Sequence, residues 1–490
     1  MRRDRTASAS STHTRYTKPG GEEDSLEWSR RSEYVLIALL GVLYLALMGK
    51  YRGFQLDNIW FLSFSHSYWV DHVQSDTFML KPFPGGMGGV AYFGKLAAVT
   101  QGAILNLIGW SLANAILISI VFTVLSLILF AQTCRRLGYS GKFTFCYIAF
   151  LGFTEPFVAV SQSARYEFLA IFLLSVALWL GARDKPILAM FVATLATEIE
   201  PAAIVIAFAT ATFLLSINLH SKALRTPVLL LRICAGAAAA TVVYLAIHPH
   251  IVSLLLAADW VSFKQQTTAW PGGFVTAYYL VYRRHLPELA VLLAAVGACV
   301  LPGKRHLLRE WPALCMLVIV VAATLLRWPN PDYFCFLAPF LCLFILQVFY
   351  GERYRNWILA AILLFTLPQY AWRYRIWSSR HAALSQHDQN EIGAAITHAA
   401  SVIGKPSEEL HILGNYTVWF AHPHLFVNLN RLIVTPSMLR DADVILCFEQ
   451  PVNPPSRQDI SCPELNSADY RQIESMTVRG NQLRLLRPTR

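Results

Sequence analysis

The sequence is short of charge. Acidic and basic side chains make up 14% of its 490 residues, against about 25% in an average soluble protein. With apolar runs recurring along most of the chain, that scarcity excludes an ordinary soluble domain and predicts a polytopic α-helical membrane protein. The nine cysteines include no CxxC pair, which argues against a cysteine metal centre. Glycine-rich nucleotide loops and internal repeats are also missing. Repeated halves are a common mark of secondary transporters, so their absence weighs against that class.

What charge there is has a pattern. The net charge is +11, and Arg and Lys gather in short segments between apolar runs: "CRRLGYSGK", "GARDK", "HSKALR", "PGKRHLLRE" and "GERYR". Basic short loops mark the cytoplasmic side of a membrane protein, so the excess reflects topology and not a nucleic-acid partner. Residues 1–33 are polar and are expected to be a disordered cytoplasmic amino terminus. "YVLIALLGVLYLALM" then reads as a retained signal anchor, since no small-residue cleavage site follows it.

Further apolar runs lie at 112–133, 143–160, 166–182, 187–217, 228–247, 287–301, 311–327, 333–350 and 357–372. As one helix the 187–217 run would be about 46 Å long at ~1.5 Å per residue, more than a hydrocarbon core of about 30 Å. Pro201, beside Glu198 and Glu200, predicts a break into two helices. All the basic loops then fall on the amino-terminal side, giving about eleven spans and an outward-facing carboxyl terminus. The transmembrane domain is expected over 34–376, with outer loops at 50–111 and 248–286. The stretches "AAVTQGAILNLIGW" and "IVSLLLAADWVSF" in those loops should lie along the interface.

Residues 377–490 read as a small extracytoplasmic α/β domain. "NEIGAAITHAASVIG" has helical apolar spacing, while "LHILG", "ADVILCFE" and "LRLLRP" read as strands. Cys447 and Cys462 fall in this tail and can pair only if it faces an oxidising compartment. Asn415-Tyr416-Thr417 is a glycosylation sequon by pattern, read as coincidental in a bacterium.

The chemistry-bearing residues gather at the outer boundary. Asp57 follows the first span in "YRGFQLDNIWFLSFSHSYWVDHVQSD", where a carboxylate suits a general base or a cation ligand. An isolated loop acid is more often simply solvated. Lys81, in "FMLKPFPGGMGGVAYFGK", is placed to neutralise a phosphate or to snorkel. Arg165 and Glu167, in "SQSARYEFLAIFLLSVALWL", stand at the outer end of a span, either as phosphate-binding groups or as a helix-end ion pair. Arg327, in "LLRWPNPDYFCFLAPF", occupies a similar outer position.

In their order, these motifs resemble the membrane-embedded GT-C glycosyltransferases. The similarity is greatest to the bacterial branch related to protein O-mannosyltransferases and the lipid A aminoarabinose transferase, and it covers most of residues 35–375. It runs from Asp57 through Lys81-Pro82, "YFGKLAAVTQGAILNLIGWS", "CRRLGYSGK" and "SARYEFLAIFLLSVALWL" to "PDYFCFLAPFLCLFIL". The resemblance implies sugar transfer from a polyprenyl-phosphate donor to a glycolipid, surface polysaccharide or protein outside the cytoplasm, in a bacterial inner membrane. Asp57 then matches the acid that positions or deprotonates the acceptor, and Lys81 the lysine at the donor phosphate. Glu167 and Tyr333 match substrate-contacting positions, and Arg165 and Arg327 are chemically suited to the phosphate. Many relatives carry two adjacent acids in the first loop, whereas this chain has Asp57-Asn58. That favours a one-carboxylate base over a divalent-cation cage, and no cofactor is assigned.

Two other classes fit parts of the pattern. A lipid-linked glycan transporter or flippase would share the spans and the intramembrane charge. A polymerase or ligase using a diphosphate-linked oligosaccharide would share the outer loops. Such enzymes usually concentrate arginines there, however, and 248–286 carries only Arg283, Arg284 and Lys264 as cations.

Overall fold

A computed structural model describes residues 26–48, 56–70, 72, 93–221, 224–249, 251, 286–300, 304–325, 334–350, 384, 386–424, 426–429, 434–450 and 460–489. The first ten helices, in chain order, are α1 (Leu26–Leu47), α2 (Leu56–Trp69), α3 (Lys95–Ile108), α4 (Leu112–Arg136), α5 (Gly141–Gly152), α6 (Glu155–Ser161), α7 (Glu167–Gly181), α8 (Pro186–Ile199), α9 (Ile204–Ser221) and α10 (Thr226–Ile247). They are followed by α11 (Leu286–Ala298), α12 (Trp311–Leu325) and α13 (Phe334–Phe349).

Among the described residues three helices are long and apolar enough to cross a membrane, or four if one bent pair is a single span. Several more are shorter and apolar. Large apolar side chains lie exposed on the outer faces of these helices, including Val42, Val121, Leu231, Leu293 and Leu317. Lipid would cover such faces at no hydrophobic cost. The 357–372 run and "IVSLLLAADWVSF" lie outside the described residues, so the expected count of about eleven spans is not reached here.

The 187–217 run divides as its length requires. α8 ends at Ile199, a short 3-10 turn covers Pro201–Ala203, and α9 continues from Ile204. The 143–160 run differs from expectation, because it is two helices, α5 and α6, bent by 65°. Pro156 is the cause: it has no amide hydrogen to donate to Gly152, and its ring would clash with that carbonyl in a straight helix. The freed Gly152 carbonyl accepts a hydrogen bond from the Tyr44 hydroxyl at 2.7 Å instead. Near the amino end of α1, buried Glu33 pairs with Arg135 at the carboxyl end of α4. α3 is a separate helix set off from α4 by Gly109.

Downstream, α14 (Gln386–Ile403) and α15 (Pro436–Asp441) accompany a five-stranded sheet. Its strands are β1 (Ile412–Gly414), β2 (Phe426–Asn428), β3 (Val444–Phe448), β4 (Tyr470–Val478) and β5 (Asn481–Pro488), in the order β2-β1-β3-β5-β4. β1 runs parallel to β2 and β3, whereas β5 is antiparallel to β3 and β4. Cys447 on β3 forms a disulfide with Cys462. Asn415 of the sequon is buried, and its side-chain oxygen accepts from the amide and hydroxyl of Thr417, capping a 3-10 turn over Tyr416–Ala421.

Candidate functional site

The polar core gathers around the non-helical turn between α6 and α7. Residues Gln162–Tyr166 are all buried, so their backbone groups must find partners inside the protein. Helices α3 and α4 supply partners for two of the carbonyls. Ser119 of α4 donates to the Ser163 carbonyl at 2.5 Å. Gln101 of α3 donates to the Ala164 carbonyl at 3.0 Å. Ser163 in turn donates from its hydroxyl to Asn58 Oδ1 of α2 at 3.1 Å, and its oxygen accepts the Arg165 amide at 3.2 Å.

Tyr166 fastens the turn from the other side. Its hydroxyl donates to the Phe61 carbonyl at 3.0 Å and lies 3.0 Å from the Ser65 hydroxyl, which also donates to Gln101 Oε1. The Tyr166 and Phe61 rings meet edge to face, with centroids 4.5 Å apart. Gly94, at the head of α3, has φ of 79°, and a Cβ there would come within 2.9 Å of the Tyr166 ring.

This scaffold holds the charged pair predicted from the sequence. An Arg165 guanidinium nitrogen lies 2.6 Å from Glu167 Oε1, with both side chains almost wholly buried. The guanidinium carbon stands 5.7 Å from the Phe61 ring centroid. A helix-end ion pair at the surface would be solvated and weak. This one is almost sealed from water, where the attraction between the two charges is screened far less.

Asp57 belongs to the first turn of α2, one residue before Asn58. Its backbone is therefore next to the Asn58–Ser163 contact, although its side chain lies outside the described residues. Asn58, read from the sequence only as a missing second acid, is a buried acceptor that ties α2 to the turn. Lys81, Arg327 and Tyr333 lie outside the described residues altogether. Among the described residues no three His, Cys, Asp or Glu side chains converge on a metal position.

Two further clusters adjoin the site. Glu198 at the end of α8 meets the head of α3 and His248. On the other flank, His66 of α2 is buried with its ring 5.0 Å from Trp110, 5.7 Å from Trp419 and 5.0 Å from His424. The sheet-bearing segment is thereby packed directly onto α2. Gln101, Tyr166 and Ser65 were not singled out in the sequence. The signal for Tyr166 was the density of polar residues in "SQSARYE", and for Gln101 its place as the one glutamine of α3.

No family profile and no curated protein matches the sequence. Solved structures do match the fold. ArnT from Cupriavidus metallidurans, bound to undecaprenyl phosphate, aligns with a TM-score of 0.53 at 11% identity, over 94% of this chain and 98% of that one. The oligosaccharyltransferase AglB from Archaeoglobus fulgidus, in complex with an inhibitory peptide and a dolichol-phosphate, gives a TM-score of 0.50 at 11% identity over 84% of this chain. An apo form of the Archaeoglobus fulgidus oligosaccharyltransferase gives 0.50 at 13% identity over 86%. The chain spans about 65% of the length of these archaeal enzymes. The chain shares its fold with these solved structures.

Proposed function

We propose that this GT-C-fold chain is a membrane glycosyltransferase that moves a sugar from a polyprenyl-phosphate donor to an acceptor outside the cytoplasm. The observation that carries the reading is the buried Arg165–Glu167 pair, held on a turn that is hydrogen-bonded to the first turn of α2 beside Asp57. A chain that only moves lipid across a bilayer has no evident need for a rigid, desolvated arginine next to a candidate base. The near-complete length match to ArnT favours a lipid-monophosphate donor over the diphosphate-oligosaccharide alternative.

In this mechanism Asp57 takes the proton of the acceptor hydroxyl as its oxygen attacks the anomeric carbon. The bond from that carbon to the phosphate oxygen breaks, and the electron pair leaves with the polyprenyl phosphate. Lys81, Arg165 and Arg327 stabilise the departing phosphate charge. Glu167 orients Arg165 and contacts substrate together with Tyr333. Direct displacement inverts the configuration at the sugar. The reaction would take place at the periplasmic or outer face of a bacterial inner membrane.

The test compares lipid-linked sugars and surface glycans by mass spectrometry in wild-type, deletion and Asp57→Asn cells. Loss of one sugar from a surface glycan, with its polyprenyl-phosphate precursor accumulating in both mutants, is expected. Wild-type glycans in Asp57→Asn cells, with only lipid distribution changed in the deletion, would replace transfer with transport.

A further inference from the structure

Glu198 and His248 take no part in the chemistry above, yet they form the most completely buried acid–imidazole contact among the described residues, at 0% and 2% side-chain exposure. One Glu198 carboxylate oxygen accepts the Lys95 amide at 2.7 Å and lies 2.9 Å from His248 Nε2. The other accepts the Leu96 amide at 3.2 Å. The Glu198 carbonyl also accepts the Gly94 amide at 2.5 Å. Lys95 Nζ donates to the Ile247 carbonyl at 2.9 Å, closing the cluster against the end of α10.

A carboxylate sealed from water is costly unless its oxygens are satisfied. Here two amides of an unfinished helix terminus supply donors and a favourable dipole, and the imidazole supplies a third contact. Three segments distant in sequence are joined by this one side chain: the head of α3, the break between α8 and α9, and the end of α10.

The clamp leads to the site through α3. Gly94 abuts the Tyr166 ring, and Gln101, farther along α3, bonds both the Ala164 carbonyl and Ser65 of α2. α3 is therefore a bar holding the Arg165–Glu167 turn against α2, and Glu198 fixes its end.

We infer that Glu198 and His248 are positioning residues for glycosyl transfer, setting the Arg165–Glu167 turn through α3. The inference rests on the transferase reading. Displacement of a catalytic group by about 1 Å can cost on the order of 100-fold in rate. Glu198→Ala, which loses every side-chain acceptor, is expected to lower kcat by about that factor. Glu198→Gln keeps one acceptor but sets an NH2 donor against the Leu96 amide, and should fall between. His248→Gln, whose amide nitrogen can stand where Nε2 does, should retain most activity, while His248→Phe should not. The Michaelis constants for donor and acceptor should change little in all four.

The experiment measures transfer by purified full-length protein in proteoliposomes containing polyprenyl-phosphate sugar, normalised to the folded fraction. A graded loss in kcat with rescue by His248→Gln supports the inference. Variants that are less thermostable but have wild-type kcat per folded molecule overturn it, leaving a structural brace only. Wild-type protein without transfer defeats the underlying reading, and the positioning role falls with it. Glu198→Gln and His248→Gln keep the question answerable if Glu198→Ala does not fold.

Discussion

Replacing Gly94 with alanine should damage both stability and transfer, for two separable reasons. The backbone sits at φ of 79°, where an L side chain costs roughly 1–2 kcal/mol. The new Cβ would also lie 2.9 Å from Tyr166 Cε2 and 3.2 Å from Cδ2, too close for either. Tyr166 cannot swing away cheaply. It is 1% exposed, packed on Phe61, and tethered through its hydroxyl to the Phe61 carbonyl. Forcing extra volume into such a core typically costs about 1–3 kcal/mol. Together the two terms come to about 2–5 kcal/mol. A double-mutant cycle separates them. In a Tyr166→Val background the ring is gone and only the backbone cost remains, so Gly94→Ala should be milder there by ~1–3 kcal/mol. Thermal or denaturant unfolding of the detergent-solubilised protein measures each corner, alongside transfer in proteoliposomes. If the two substitutions are additive, the Gly94–Tyr166 contact does not constrain the turn, and the account of α3 as its support is wrong.

The remaining predictions are briefer. Arg165→Met should cost about 3–5 kcal/mol, because it leaves the Glu167 carboxylate buried without its guanidinium. Arg165→Met with Glu167→Leu should recover much of that stability while transfer stays absent; normal transfer by the double variant would remove the pair from the mechanism. The segment packed on α2 should weaken below neutral pH. Burial lowers the His422 pKa, and the neighbouring His424 charge lowers it further. A folded value below the free value of 6.5 means the stabilisation is complete above 6.5 and is lost as pH falls toward the depressed folded pKa. Unfolding followed from pH 7.5 downward should show this loss, and His422→Phe should flatten it. Asp443 does not confuse the window. Burial raises its pKa but Lys405 and the His411 amide outweigh that, leaving it below 3.8, so its contribution is lost only in stronger acid.

Much of the scaffold was legible because length and hydropathy leave few choices. The 187–217 run was too long for one span, Pro201 stood at its centre, and the break lies there. The apolar strands β1, β3 and β5 announced themselves by composition. β2 did not, and neither did β4, whose mixture of exposed and half-buried positions gives no apolar alternation. The bend at Pro156 was missed although Thr154-Glu155-Pro156 interrupts the apolar run there. Arg165 and Glu167 could be picked out as charges in an apolar setting. Their supports could not, since Asn58 finds Ser163 across a separation of 105 positions and Gln101 finds Ala164 across 63. Such pairings follow from helix packing, which one sequence does not display.

The location of the supports has a physical logic. Within a membrane-embedded bundle each interruption of a helix frees backbone carbonyls and amides that lipid cannot satisfy. At the α6–α7 turn the freed carbonyls take Ser119 and Gln101, and at the head of α3 the freed amides take Glu198. Side chains recruited to satisfy the backbone are thereby fixed in direction, and so is whatever the interrupted segment carries. Arg165 and Glu167 are carried by such a segment. The polar groups that make the breaks tolerable are therefore the ones that preorganise the charged pair. Replacing them with apolar residues of similar size would be expected to cost stability and reaction geometry together, whereas the same exchange in the middle of α4 or α10 should affect packing alone.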